Sequence, residues 1–117
     1  STGILRGLCN IRGELVLCAD LRRLLGLPAH DNAETSGDTG ADARRMVVIG
    51  PAGASWVFEV DALIGVERID PQSLRLPPMT VEHALGACVA GLTEIAGAGV
   101  SVLDGERVLA GFKAGLG

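Results

Sequence analysis

The chain has 117 residues and a formal charge of −4, the size of one ordinary domain built on one core. Hydrophobic residues make up 48% and charged residues 21%, which excludes a disordered chain, while aromatics at 3% with no Tyr leave aliphatic side chains to fill the interior. The acidic balance, the scatter of the ten basic residues and the presence of only Trp56, Phe58 and Phe112 as stacking groups exclude a nucleic-acid partner.

Residues Ile4 to Ala19 hold short aliphatic runs broken at Gly7 and at Arg12-Gly13, the pattern of two strands joined by a tight turn. Asp20 stands as a helix N-cap, with Leu21, Leu24 and Leu25 at i, i+3 and i+4 behind it, and Gly26 and Pro28 end the helix. From Ala29 to Ala43 the Asp, Ala, Thr and Gly-rich stretch has no apolar period and reads as a loop. Arg45 to Gly50 and Ser55 to Val60 flank Pro51-Ala52-Gly53 and predict a hairpin. A third strand is expected from Ile64 to Ile69, before Asp70-Pro71 and the ladder-breaking Pro77-Pro78. The rest, Cys88 to Ile95, Gly99 to Leu103 and Asp104 to Phe112, reads strand, strand, short helix.

The last block repeats the first. A shift of 84 positions lays Ile4 to Leu25 over Cys88 to Leu109 without a gap. Gly7, Leu8, Ile11, Gly13, Val16, Asp20, Arg23 and Leu25 meet identical residues at Gly91, Leu92, Ile95, Gly97, Val100, Asp104, Arg107 and Leu109. Turn glycines, alternating apolar positions and a capping Asp are what two copies of one strand-turn-strand-helix unit keep for folding. Asn10 and Arg12 change to Glu94 and Ala96. The second copy is preceded by the strands between Met46 and Ile69, whereas the same shift places the first copy's equivalents before position 1. An uncovered sheet edge is therefore expected, to be filled from the carboxy-terminal half or by another chain.

No catalytic group convenes. Cys9, Cys18 and Cys88 form no CxxC, His30 and His83 stand alone, and the 17 glycines form no phosphate-binding motif, so no cofactor, metal or catalytic residue is expected. Cys18 alternates with Val16 and reads as a small core residue, the competing reading being a reactive thiol at Cys18 or Cys88. No apolar run reaches the roughly 18 residues of a membrane-spanning helix, and the first residues lack a signal-peptide layout, so a protein without membrane insertion is expected.

Asn10-Ile11-Arg12-Gly13-Glu14 is different in kind. Strand alternation points Ile11 into the core and puts Asn10 and Arg12 on the other face at the mouth of a turn. An exposed Arg beside an exposed Asn suits a carboxylate or backbone carbonyl on a partner; the alternative is a solvated turn with an internal ion pair from Arg12 to Glu14 or Asp20.

The run Gly7-Leu8-Cys9-Asn10-Ile11-Arg12-Gly13-Glu14-Leu15-Val16-Leu17-Cys18-Ala19-Asp20-Leu21 resembles the G-x-x-N-L-R-G-x-V-x-P-V-x-D-L signature of CheW-like domains, the bacterial chemotaxis coupling proteins. Val57 to Val66 resembles that family's strand-VD-x-x-x-G-V segment, and Val100 to Asp104 its closing strand and L-D turn. The resemblance implies a mainly β fold of two SH3-like five-stranded β-barrel subdomains with short helices. One CheW-like domain would span 1–117, with 1–28 a remnant of the first barrel, 45–103 mainly the second and 104–114 a C-terminal helix.

The resemblance further implies a non-enzymatic cytoplasmic adaptor that joins the chemoreceptor cytoplasmic tip to the regulatory domain of a CheA-type histidine kinase. A CheW-like regulatory domain excised from a larger signalling kinase or receptor-linked protein is the alternative. Partner contact falls on Asn10, Arg12, Gly13 and Glu14, while Asp20, Asp61 and Gly65 fall on structural positions. Leu17 stands where the family has Pro. The about 35 to 40 residues that precede the signature in the family are absent, which implies an N-terminally truncated first barrel and a homo-oligomer formed by strand exchange.

Overall fold

The computed structural model describes residues 3–28, 45–76 and 83–116, with side chains in the last stretch from residue 86. The loop expected at 29–43 and the prolines at 77 and 78 lie outside these residues.

Strands β1 (Leu5–Ile11) and β2 (Glu14–Ala19) form the first hairpin, followed by helix α1 (Leu21–Leu24). Strands β3 (Arg45–Ile49) and β4 (Trp56–Val60) form the second hairpin. After a 3-10 turn at Pro71–Ser73 come α2 (His83–Cys88), β5 (Val89–Ile95), β6 (Ala98–Leu103) and α3 (Gly105–Ala114). The strands make a four-stranded sheet in the order β1-β2-β4-β3 and a two-stranded sheet β5-β6. The fold is mainly β with a few short helices, as expected.

The 84-residue repeat is a repeat of geometry. β1 and β2 pair from Leu5↔Ala19 to Ile11↔Glu14, and β5 and β6 from Val89↔Leu103 to Ile95↔Ala98, every pair displaced by the same 84 positions. Each ladder has its irregularity at the same place, Leu5/Gly7 and Val89/Gly91. Each closes with a backbone bond from the capping Asp: Asp20 N–H donates to Ile4 C=O at 2.7 Å, Asp104 N–H to Cys88 C=O at 2.8 Å. Asp20 Oδ1 then accepts from Arg23 N–H at 3.1 Å, and Asp104 Oδ1 from Glu106 and Arg107 N–H at 2.9 and 3.2 Å, which satisfies the otherwise orphaned amides of each first turn.

The first hairpin joins the rest of the fold through a short parallel ladder, Leu17↔Trp56, Cys18↔Val57 and Ala19↔Phe58. Paired residues share a face. Leu17, Ala19, Trp56 and Phe58 therefore turn together toward α3, whose Phe112 is fully buried between the two aromatic rings. Ring centroids lie 5.4 Å from Trp56 and 6.0 Å from Phe58, both tilted. Gly111 lets α1 approach: a Cβ there would stand 2.6 Å from Leu24 Cδ1.

Two expectations are corrected. Ile64 to Ile69 forms no strand; its backbone has no ladder partner among the described residues, and Ile64 and Val66 are almost wholly exposed, so β-propensity without pairing does not make a strand. Cys88, read as the start of a strand, is the last residue of α2, a helix not anticipated in the proline-delimited stretch around His83.

Because Phe112 anchors both aromatic neighbours, Phe112→Ala is expected to lower unfolding free energy by about 3–5 kcal/mol. Urea denaturation followed by Trp56 fluorescence measures it.

Candidate partner-binding site

The four expected site residues stand together at the tip of the first hairpin. Arg12 and Gly13 are the central residues of a two-residue turn, with φ of 51° and 85°. Positive φ at both positions is the type I′ pattern, whose twist matches that of the flanking strands. Glycine adopts it freely, but an Arg held there carries the strain of the left-handed region, about 1 kcal/mol. The second copy repeats this at Ala96 and Gly97, φ 52° and 82°. The strain therefore belongs to the repeated fold, whereas the guanidinium is particular to the first copy.

Asn10 serves the turn. Its side-chain Oδ1 accepts a 2.9 Å hydrogen bond from Gly13 N–H. This Asn is exposed, and its acceptor is occupied locally. Ile11 is only half-buried and shares a face with Glu14, Cys9 and Val16, away from the aromatic cluster, so it does not enter that core. Asn10, paired with Leu15, lies on the face toward α3.

Arg12 is exposed and, among the described residues, makes no ion pair; Asp20 is 3.7 Å from Arg6 instead. The internal pairing of Arg12 with Glu14 or Asp20 is therefore not formed. Asp61, expected to be structural, holds Arg22 of α1 at 2.6 Å, while a Cβ at Gly65 would meet nothing within 4 Å.

Beside the hairpin lies an open groove of about 470 Å³ between β2, the β3–β4 turn and the end of α3. Glu14, Leu15, Leu17, Trp56, Lys113 and Leu116 are among its lining. Leu15 and Leu116 are well exposed, and Glu14 and Lys113 supply opposite charges, so the surface can take an apolar side chain with polar groups at the rim. Sequence reasoning did not identify this groove. The unbroken Leu15-Val16-Leu17 run, apolar on both faces of β2, was its one visible sign.

Burial disfavours the thiolate at two of the cysteines. Burial, reinforced by a hydrogen bond with Cys9, pushes Cys18 up to about 11, and burial also raises Cys88. Among the described residues there is no cluster of His, Cys, Asp or Glu able to hold a metal ion, and no helix is long and apolar enough to cross a membrane. The side chain of His83 lies outside the described residues.

A family model for the CheW-like domain matches residues 1–113. The chain belongs to the CheW-like domain family. Among solved structures it is similar to the scaffolding protein TtCheW from Thermoanaerobacter tengcongensis, with 23% identity and a TM-score of 0.63 over 86% of this chain. The chain spans 60% of that protein's length. At this identity the likeness shows the fold alone. No curated protein gives a significant match.

Two outcomes follow. Arg12→Gly and Ala96→Gly should each raise stability by no more than about 0.5 kcal/mol, the relief of left-handed strain less the added freedom of the unfolded chain, as measured by urea denaturation. Alkylation of Cys18 with iodoacetamide at pH 8 should run about 100-fold slower than that of a free model thiol, because two pKa units remove that share of thiolate. Peptide mapping by mass spectrometry reads it, and the rate should climb about tenfold per pH unit and level off only above about pH 11.

Proposed function

We propose that the chain is a non-enzymatic adaptor of chemotaxis-type signalling, acting in the cytoplasm to join a chemoreceptor's cytoplasmic tip to the regulatory domain of a CheA-type histidine kinase. The observation that carries this reading is the CheW-like match over residues 1–113, with Arg12 of the N-I-R-G turn exposed and without an internal ion pair among the described residues. A type I′ turn braced by Asn10 presents the guanidinium at a hairpin tip, where its fork can grip a carboxylate or a backbone carbonyl of a partner. Glu14 and the neighbouring groove extend the same surface. In this division of labour Asn10 and Gly13 shape the turn and Arg12 makes the contact.

The SH3-like barrel pair belongs to the same reading. The matching ladders of the two hairpins support two related subdomains.

Co-precipitation with a chemoreceptor cytoplasmic fragment and a CheA-type kinase tests it. Arg12→Glu should lower binding by at least about tenfold, as loss of a central Arg contact does, and Arg12→Gly should also weaken it while leaving the turn less strained. Unchanged binding by both variants, with the fold intact, removes Arg12 from the contact.

A further inference from the structure

The two copies of the repeat differ in one chemical pairing. Cys9 and Cys18 stand where the second copy has Thr93 and Val102 at the same register positions. The repeated fold therefore needs no thiol at either place. Both cysteines are half-buried and lie outside the aromatic-centred core, whereas Cys88 is buried within it.

The register brings the two together. Cys9 pairs with Val16 and Cys18 with Gly7, and paired residues share a face. The cysteines are therefore diagonal neighbours across β1 and β2, on the face turned away from the aromatic cluster. Gly7, directly opposite Cys18, carries no side chain, which leaves the Cys18 sulfur room to lean toward Cys9. The two thiols share a hydrogen bond. The ladder is irregular between Leu5 and Gly7, beside this pair, so β1 has a place to bend.

We infer that Cys9 and Cys18 form a redox-modification site, closing to a disulfide within one chain on reaction with a hydroperoxide and reopening with a small dithiol. Diagonal neighbours have Cα atoms about 7–8 Å apart, more than the roughly 5.5–6 Å of a relaxed disulfide. Closing the bond draws the strands together at the Leu5/Gly7 irregularity and leaves a bond that is easy to reduce. The pair lies on the strands that end in the Arg12 turn, so the cross-link constrains the hairpin that presents that side chain. The inference does not depend on what Arg12 binds.

Cys9 attacks first, because burial keeps the Cys18 thiol protonated. With hydrogen peroxide, the O–O bond breaks, one oxygen stays on Cys9 as a sulfenic acid, and the other leaves as hydroxide and takes up a proton to become water. The Cys18 thiol then attacks the Cys9 sulfur. The S–S bond forms, the S–O bond breaks, and hydroxide departs with the Cys18 proton as a second water. The two sulfurs together lose two electrons, which reduce the two peroxide oxygens. Dithiothreitol returns two electrons and two protons to the thiols and becomes a cyclic disulfide.

Trypsin separates the two thiols, since cleavage after Arg6, Arg12 and Arg22 puts Cys9 in 7–12 and Cys18 in 13–22. The 117-residue chain, reduced and then treated with hydrogen peroxide, is trapped with N-ethylmaleimide, digested and weighed by mass spectrometry. Peptides 7–12 and 13–22 should emerge joined and lighter by two hydrogens, with Cys88 carrying the maleimide, and dithiothreitol should part them. The linked chain should keep native Trp56 fluorescence. In Cys18→Ser the joined peptides should be absent and Cys9 should proceed to the sulfinic acid. Sulfinic Cys9 without linkage in the wild-type chain, a link through Cys88, or a link between two copies on a non-reducing gel overturns the inference. So does a linked chain whose Trp56 fluorescence has become that of the unfolded protein, because the fold would then not accommodate the bond.

Discussion

Three parallel pairs between β2 and β4 hold this fold together. Without them the first hairpin would be an isolated two-stranded ribbon, a structure that is marginal in water. With them, Leu17 and Ala19 join Trp56 and Phe58 on one face, and Phe112 packs against both rings. The position of the hairpin tip, and with it Arg12, depends on this contact.

The repeat explains why so much local structure was legible. Asp20 and Asp104 cap because a carboxylate before an apolar run has waiting amides to accept, and Gly13 and Gly97 turn because both adopt positive φ. Local chemistry decides such features, and two copies of one pattern report them twice. The change from Arg12 to Ala96 at equal φ separates the side chain from the backbone requirement. Family membership follows from residues 1–113, of which the Asn10-to-Leu21 run is the most legible portion.

What remained hidden depends on pairing between distant segments. The Ile64 to Ile69 run has strand composition, but composition does not supply a partner. The join of β2 to β4 is a parallel contact across some 40 residues of sequence, and no local pattern announces it. The groove beside Leu15 exists only because the end of α3 and the β3–β4 turn converge there. The exposure of Asn10 could be inferred from alternation, whereas its bond to Gly13 N–H could not.

If the β2–β4 contact makes the first hairpin one cooperative unit with the rest, their amides must be released together. Native-state hydrogen exchange in low denaturant measures this at Cys18, Ala19, Val57 and Phe58. The account predicts that all four amides exchange through the same global opening, with the same free energy and the same denaturant dependence. Release of Cys18 and Ala19 at a clearly lower free energy, with Val57 and Phe58 still protected, would contradict it and make the hairpin a separately docked element.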